Sequence, residues 1–210
     1  REVAALGVDA VVFATGARPV VPQIPGVDAP HVVQAWDVLS GRAEVGPRVV
    51  VIGGGAVGVE AARHAALLGA IDAETVRFLL VEQAEDPEAI RRLASRGTRS
   101  VTLVEMTRRV GADIGPSNRW SLLQDLERTG VRTVTGRAVV AVDPDAVVLD
   151  GDGERIACDT VVLAVGARPD AALYEALASR LPEAHVVGDA GTVRRALDAV
   201  EDGYRLGATI

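Results

Sequence analysis

Three glycines have the spacing of a phosphate-binding turn. Gly53, Gly55 and Gly58 directly follow the apolar segment RVVVI and directly precede an alanine-rich helical segment. In this setting the first glycine permits a tight turn, the second lets a diphosphate approach the backbone, and the third lets the helix pack closely on the strand. A glycine turn without a ligand is the alternative, which the flanking strand and helix disfavour. The residues assigned to the predicted diphosphate site are Gly53, Gly54, Gly55, Ala56, Val57 and Gly58.

A carboxylate should end the next strand and accept hydrogen bonds from an adenosine ribose, about twenty residues after the glycines. Glu105 ends the strand segment VTLVE but lies much further along the chain. Removing segment 71–100, which we interpret as a helical insertion, restores the expected spacing. Glu82, at the end of FLLVE, is the competing candidate, but the helical spacing before it and a capping Asp72 favour Glu105.

The acid also bears on the choice of nicotinamide cofactor. A carboxylate at Glu105 disfavours the 2'-phosphate of NADPH and therefore points to NADH. Arg108 and Arg109 keep NADPH open, because a guanidinium pairs well with a phosphate. The alternative role of this arginine pair is a solvated surface charge.

Composition excludes several classes of function. The 210 residues are 49% hydrophobic and carry a net charge of -7, which disfavours nucleic acid or an anionic membrane as partner. No apolar run is long enough for a membrane span, so a cytoplasmic protein is expected. Cys158 is the single cysteine, and the histidines lack ligand spacing, so we predict no internal disulfide and no metal site. Because bound dinucleotides would carry the chemistry, we predict no catalytic side chain.

The pattern of elements predicts an α/β fold, in which a central parallel sheet carries helices and a small antiparallel meander. Buried strands are predicted at 9–15, 48–52, 101–105, 160–165 and 185–187. Helices are predicted from 56 to about 68 and at 117–129, 171–179 and 192–208, with Ser117 as a cap and Gly130 as a stop. Short meander strands are predicted at 131–134, 138–142, 146–149 and 155–157. The proline-rich residues 16–33 read as a connector.

Five segments, in order, resemble a known family. They are ATGARPVVPQIPGV, VVVIGGGAVGVEAA, VTLVEMTRRVGADIGPS, TVVLAVGARPD and VVGDAGTVRRALDAV. They resemble the C-terminal dinucleotide-binding region of the NADH:flavin oxidoreductases that include 2,4-dienoyl-CoA reductase, enoate reductase and trimethylamine dehydrogenase. These old-yellow-enzyme-like proteins lie within the two-dinucleotide-binding flavoprotein superfamily. The resemblance covers essentially the whole chain.

The resemblance implies two domains and a second cofactor site. An NAD(P)-binding Rossmann domain at 34–163, with the insertion 71–100, would lie within a partial FAD-binding domain formed by 1–33 and 164–210. The residues that the resemblance assigns to FAD are Ala14, Thr15, Gly16, Gly166, Gly188 and Asp189. Asp189 would accept a ribityl hydroxyl, or alternatively cap the following helix. Glu60 would lie near the nicotinamide end, or serve only as a favourable anion near a helix N-terminus.

The function implied by the resemblance is electron input. NADH or NADPH would deliver hydride to FAD for onward reduction of an unsaturated acyl-CoA or enoate, while FMN, a 4Fe-4S cluster and the FMN barrel belong to the missing part of the parent. The other FAD half would come from the same or another chain, and a homo-oligomer stays open. The isolated fragment, lacking the FAD fingerprint, is expected to be inactive. Alternatives are a non-catalytic ADP-binding module, a truncated flavoprotein reductase of another subfamily, and a disulfide reductase, which the lack of a cysteine pair disfavours.

Overall fold

The computed structural model describes residues 7–210, which form two compact units. One unit is the continuous segment Val21–Gly166, and the other combines residues 7–20 with Ala167–Ile210. The boundaries 34–163 of the central domain stay a prediction, and the continuous unit includes the strand Val32–Gln34, which pairs within its sheet. None of the helices in the described part of the chain has the length and apolar character that crossing a bilayer requires.

The described residues form twelve strands and seven α-helices. The strands are β1 Val11–Phe13, β2 Ala17–Pro19, β3 Val32–Gln34, β4 Arg48–Ile52, β5 Ser100–Glu105, β6 Arg132–Thr135, β7 Val139–Asp143, β8 Ala146–Leu149, β9 Arg155–Ala157, β10 Thr160–Leu163, β11 Ala167–Pro169 and β12 Ala184–Val186. The helices are α1 Ala35–Leu39, α2 Ala56–Leu67, α3 Ala73–Val81, α4 Pro87–Ser95, α5 Pro116–Thr129, α6 Ala172–Leu177 and α7 Ala196–Gly207.

The unit Val21–Gly166 is built on a five-stranded sheet in the order β3-β10-β4-β5-β6, in which every neighbouring pair is parallel. The predicted α/β class with a central parallel sheet is confirmed. One strand was wrongly predicted: segment 131–134 was assigned to the meander, whereas β6 pairs with β5. The long helix α5 connects these two strands, and such a crossover returns the chain parallel to the strand it left.

The sheet is covered on both faces, which explains its continuous apolar strands. Side chains alternate along β4: Val49 and Val51 pack with α2 and α5 residues on one face, whereas Val50 and Ile52 pack on the other face. There they meet β7, β8 and β9, which form a three-stranded antiparallel meander as predicted. The sheet therefore lies between a helical layer and a β layer.

Segment 71–100 contains two helices, α3 and α4, each with an aspartate as its N-cap. The Asp72 carboxylate accepts the Thr75 amide at 2.7 Å, and Asp86 accepts the Glu88 amide at 2.8 Å. Both are N-caps of the usual acidic kind. The predicted cap Ser117 is wrong, because Gly115 precedes Pro116 at the first helical position of α5. The predicted end of α5 is correct, since Gly130 has the left-handed φ of 79°.

The second unit contains two small sheets and helices α6 and α7. Strands β1 and β12 pair in parallel, and β2 pairs with β11 in antiparallel fashion. The two copies of Ala-Arg-Pro are these last two strands, with Arg18 opposite Arg168. The expectation that residues 16–33 form only a connector was therefore wrong at both ends, at β2 and at β3. Residues 192–195, expected to be helical, precede α7 instead.

Candidate functional site

The glycine turn lies between β4 and α2, at the centre of the parallel sheet. Gly53 has a φ of 105°, and a Cβ there would lie 2.4 Å from the Ala164 carbonyl oxygen. A Cβ on Gly58 would lie 1.8 Å from the Gly53 carbonyl oxygen. Both positions therefore require glycine for the turn and for close packing of the helix, whereas Gly55 is the N-cap of α2 with an ordinary φ of -71°. Ala56 and Val57 are half-buried at the start of that helix.

Glu105 points into the glycine turn. Its Oε2 accepts the Gly54 amide at 2.6 Å, and its Oε1 accepts the Thr107 amide at 2.7 Å. Since β4 and β5 are adjacent and parallel, their carboxyl ends meet at one edge of the sheet. The competing Glu82 instead ends α3 as its C-cap and is exposed. The structure thus brings Glu105 to the turn although segment 71–100 lies between them in the sequence.

A second carboxylate, which sequence analysis did not identify, also lies at the glycine turn. Asp113 accepts the Ala56 amide with Oδ1 at 3.0 Å and with Oδ2 at 3.1 Å. It belongs to the loop between β5 and α5, which also donates the Gly111 amide to the Gly54 carbonyl oxygen at 2.6 Å. Asp113 was present in the quoted segment RVGADIGPS, but no periodicity or motif spacing linked it to residue 56. Only the folded loop makes the contact.

The remaining predicted residues around this turn are exposed. Glu60 lies on the exposed side of α2, and Arg108 and Arg109 lie in the exposed bend that follows β5. Met106, immediately after Glu105, has 71% of its surface exposed. None of these four side chains belongs to the buried core. Gly166, the last residue of the unit, has a φ of 104° and open space where a Cβ would lie.

In the second unit, the predicted turn after β1 is tied to Asp170. The Thr15 hydroxyl donates to the Asp170 carbonyl oxygen at 2.5 Å, and the Asp170 amide donates to the Gly16 carbonyl oxygen at 2.9 Å. The Asp170 carboxylate pairs with Arg18 at 2.8 Å. Ala14 and Thr15 are exposed and Gly16 is half-buried. The turn is therefore fixed by hydrogen bonds, with little apolar packing.

Gly188 and Asp189 form a short 3-10 turn directly after β12. The Gly188 amide donates to the Asp202 carboxylate at 3.1 Å, and Asp189 accepts the Arg194 amide at 3.0 Å. The alternative that Asp189 caps the following helix is wrong, because α7 begins at Ala196 and its N-cap is Arg195. An open pocket of about 310 Å³ adjoins this turn. Its lining includes His185, Gly188, Thr192, Arg194, Asp202 and Arg205.

The single cysteine lies away from the glycine turn. Cys158 is buried among the apolar residues under the meander. Burial raises the pKa of its thiol, although the nearby Arg48 charge acts in the opposite direction. A buried thiol with a raised pKa is a poor nucleophile. Cys158 is therefore a core residue.

The parallel sheet and the glycine turn at its carboxyl edge define a dinucleotide-binding domain of the Rossmann type. The chain belongs to the pyridine nucleotide-disulphide oxidoreductase family, whose model matches residues 2–192. It is thus a flavin and pyridine-nucleotide oxidoreductase module, and the class of protein predicted from the sequence is confirmed.

Three similar proteins illustrate the range of the relatives. A metal reductase of Desulforamulus reducens is 42% identical over 196 residues, covering 92% of this chain and 29% of the relative. An NADH oxidase of Thermoanaerobacter brockii is 32% identical over 212 residues, covering 97% of this chain and 28% of the relative. A structure of 2-naphthoyl-CoA reductase with 2-naphthoyl-CoA superposes with a TM-score of 0.78 at 25% identity, covering 99% of this chain and 28% of that one. The chain spans less than a third of the length of each.

Proposed function

We propose that this chain is the electron-input module of a larger NADH-dependent flavoprotein oxidoreductase. NADH binds to the glycine turn between residues 53 and 58 with its adenosine ribose on Glu105, and FAD is held in part by the turns at residues 14–16 and 188–189. When bound, the nicotinamide supplies a hydride and the flavin accepts it. The protein residues bind and orient the two cofactors, and none of them acts as acid, base or nucleophile.

The position of Glu105 is the single observation that carries the proposal. Its Oε2 accepts the Gly54 amide of the turn at 2.6 Å and its Oε1 accepts the Thr107 amide at 2.7 Å, so the carboxylate is held in one orientation. Each carboxylate oxygen accepts two hydrogen bonds, so each retains capacity for a ribose hydroxyl. The turn also has the form of a diphosphate-binding turn, because residues 53 and 58 must be glycine: Cβ atoms there would collide with backbone oxygens.

The same carboxylate supports NADH over NADPH. An acid fixed at the ribose position repels a 2'-phosphate, and Arg108 and Arg109 are exposed on the next bend, where they could offset only part of that repulsion. We therefore propose NADH as the preferred donor, with Glu105 as the selecting residue and the arginines as a secondary influence.

The acceptor lies in the rest of the parent protein. The relatives are a metal reductase, an NADH oxidase and a 2-naphthoyl-CoA reductase, so similar modules occur in proteins named for different final reactions. The acyl-CoA reductase in this set supports an unsaturated acyl-CoA or enoate as substrate of the parent. We propose that FMN, a 4Fe-4S cluster and the other half of the FAD domain lie outside these 210 residues, as in the dienoyl-CoA reductase family.

The test is a comparison of cofactor binding by three proteins. Glu105→Gln keeps the shape of the side chain, but it removes the charge and turns one acceptor oxygen into an NH2 donor. The dissociation constant for NADH should therefore rise about tenfold. The preference for NADH over NADPH should fall as well. Glu82→Gln is the matched control and should bind like the wild type. Equal NADH binding by wild type and Glu105→Gln would contradict the proposal.

The rival hypothesis is a non-catalytic module that binds ADP. To distinguish the two hypotheses, NADH is mixed rapidly with the full-length, FAD-loaded protein. The absorbance near 450 nm is followed, because oxidised flavin absorbs at about this wavelength and reduced flavin does not. Bleaching that is slower in Glu105→Gln supports electron input. Tight ADP binding with no bleaching supports the structural module.

A further inference from the structure

The start of α2 is already occupied by an anion that belongs to the protein. Both oxygens of Asp113 accept the amide of Ala56, the first helical residue, at 3.0 and 3.1 Å. The N-terminus of a helix carries a partial positive charge and attracts anions. The amide that the Asp113 carboxylate binds is one of those that a dinucleotide diphosphate would use.

The Asp113 carboxylate also takes up the space beside the middle glycine. A Cβ on Gly55 would lie 3.1 Å from Asp113 Oδ2. In a turn of this type, the open surface of the second glycine is where a diphosphate approaches the backbone. Asp113 and a bound diphosphate would thus compete both for an amide and for the same space, and their negative charges would repel each other.

The loop that bears Asp113 is anchored, so the side chain is the part able to move. The Gly111 amide donates to the Gly54 carbonyl oxygen at 2.6 Å. Arg119 donates to the Val110 carbonyl oxygen through Nε at 2.9 Å and Nη2 at 2.7 Å. The Asp113 side chain itself is exposed, and rotation about its χ1 would take the carboxylate into water.

We propose that Asp113 is a built-in competitor of the dinucleotide diphosphate and sets the affinity of the site. Without a ligand, its carboxylate satisfies the first amide of α2. When a dinucleotide binds, the side chain rotates away while the loop stays in place, and the carboxylate returns when the ligand leaves. This inference rests on the proposed function, because it assumes that the turn binds a dinucleotide. In this proposal Asp113 weakens dinucleotide binding, whereas Glu105 strengthens it.

The test is Asp113→Asn, which keeps the shape of the side chain and removes its charge. The dissociation constants for NADH and for inorganic pyrophosphate, measured by calorimetry at low ionic strength, should fall about three- to tenfold relative to the wild type. The melting temperature should fall slightly, because the cap is weaker. A merely structural cap would lower stability without tightening binding.

Asp72→Asn is the matched control, since Asp72 also caps a helix in the same unit, at 2.7 Å from the Thr75 amide. It should lower the melting temperature slightly and leave both dissociation constants unchanged. If wild type binds NADH and Asp113→Asn binds it equally or more weakly, Asp113 is a permanent cap and the inference is overturned. If wild type binds neither NADH nor pyrophosphate, the proposed function itself fails.

Discussion

The two compact units differ in how their turns are held in place. In the unit Val21–Gly166, the sheet is covered by helices on one face and by the meander on the other, and Val51, Leu103 and Val162 are fully buried. In the other unit, only Phe13, Gly188 and Ala190 are buried among the residues that the structure describes. The first unit has a core that fixes its glycine turn, whereas the second relies on local hydrogen bonds.

The second unit also exposes apolar side chains that its own residues do not cover. Leu197, Val200 and Tyr204 repeat along one side of α7 and are 78%, 67% and 78% exposed. A parallel sheet is normally covered on both faces and contains more than two strands, whereas β1 and β12 are a single pair. The comparison teaches that the two candidate cofactor sites should respond differently to mutation, and three experiments test this difference.

The largest effect is expected at the glycine turn. Gly53→Ala introduces a Cβ 2.4 Å from a backbone oxygen at a φ of 105°, and no side-chain rotation relieves that contact. We expect a loss of about 3 to 5 kcal/mol in the free energy of unfolding. Gly16→Ala is the control in the other unit, where φ is 76° and the Cβ would meet open space. It should cost only about 1 to 2 kcal/mol, the left-handed strain itself. Equal losses in urea unfolding would break the comparison.

The next effect is expected from truncating leucines. Leu103 has no exposed surface, so Leu103→Ala should leave a cavity and cost about 2 to 4 kcal/mol. Leu197 is 78% exposed, so Leu197→Ala should change the free energy of unfolding by less than about 0.5 kcal/mol. Thermal unfolding of both variants measures the difference. A large loss for Leu197→Ala would show that α7 is covered by a partner under the conditions used.

The smallest effect is expected from the ion pair at the amino ends of β4 and β10. The Arg48 guanidinium, at 2.6 Å, holds the pKa of Asp159 below its usual 3.8. A carboxylate whose pKa is lower in the folded protein stabilises the fold at pH values above its pKa in the unfolded chain. This stabilisation is lost as the pH falls through the pKa of the folded state. From pH 4 downwards, the melting temperature of Asp159→Asn should therefore fall less steeply than that of the wild type, by about a few degrees in total.

Asp170→Asn is the matched control for this ion pair, because it removes the Arg18 pair in the other unit. The unfolding of the unit Val21–Gly166 should keep the pH dependence of the wild type in this variant. A pH profile that is flattened equally by both substitutions would contradict the assignment to Asp159. Hydrogen exchange at β4 and β10 reports on that unit alone.

The sequence by itself determined the features that depend on local pattern. Continuous apolar runs predicted β4 and β5 as buried strands, and the glycines between β4 and α2 predicted the tight turn, since a positive φ of 105° at Gly53 and close packing at Gly58 require the absence of a Cβ. Gly130 predicted the end of α5 for the same reason. These features follow from the conformations and side-chain volumes of neighbouring residues.

The tertiary structure decided which distant segments meet. The place of β6 beside β5, the antiparallel pairing of the two Ala-Arg-Pro segments, and the contact of Asp113 with the Ala56 amide join residues with no shared periodicity. Glu105 was proposed from spacing, but its orientation depends on the register of β5 against β4. Such contacts are set by the packing of the whole sheet and its loops, and a local pattern of residue types does not encode them.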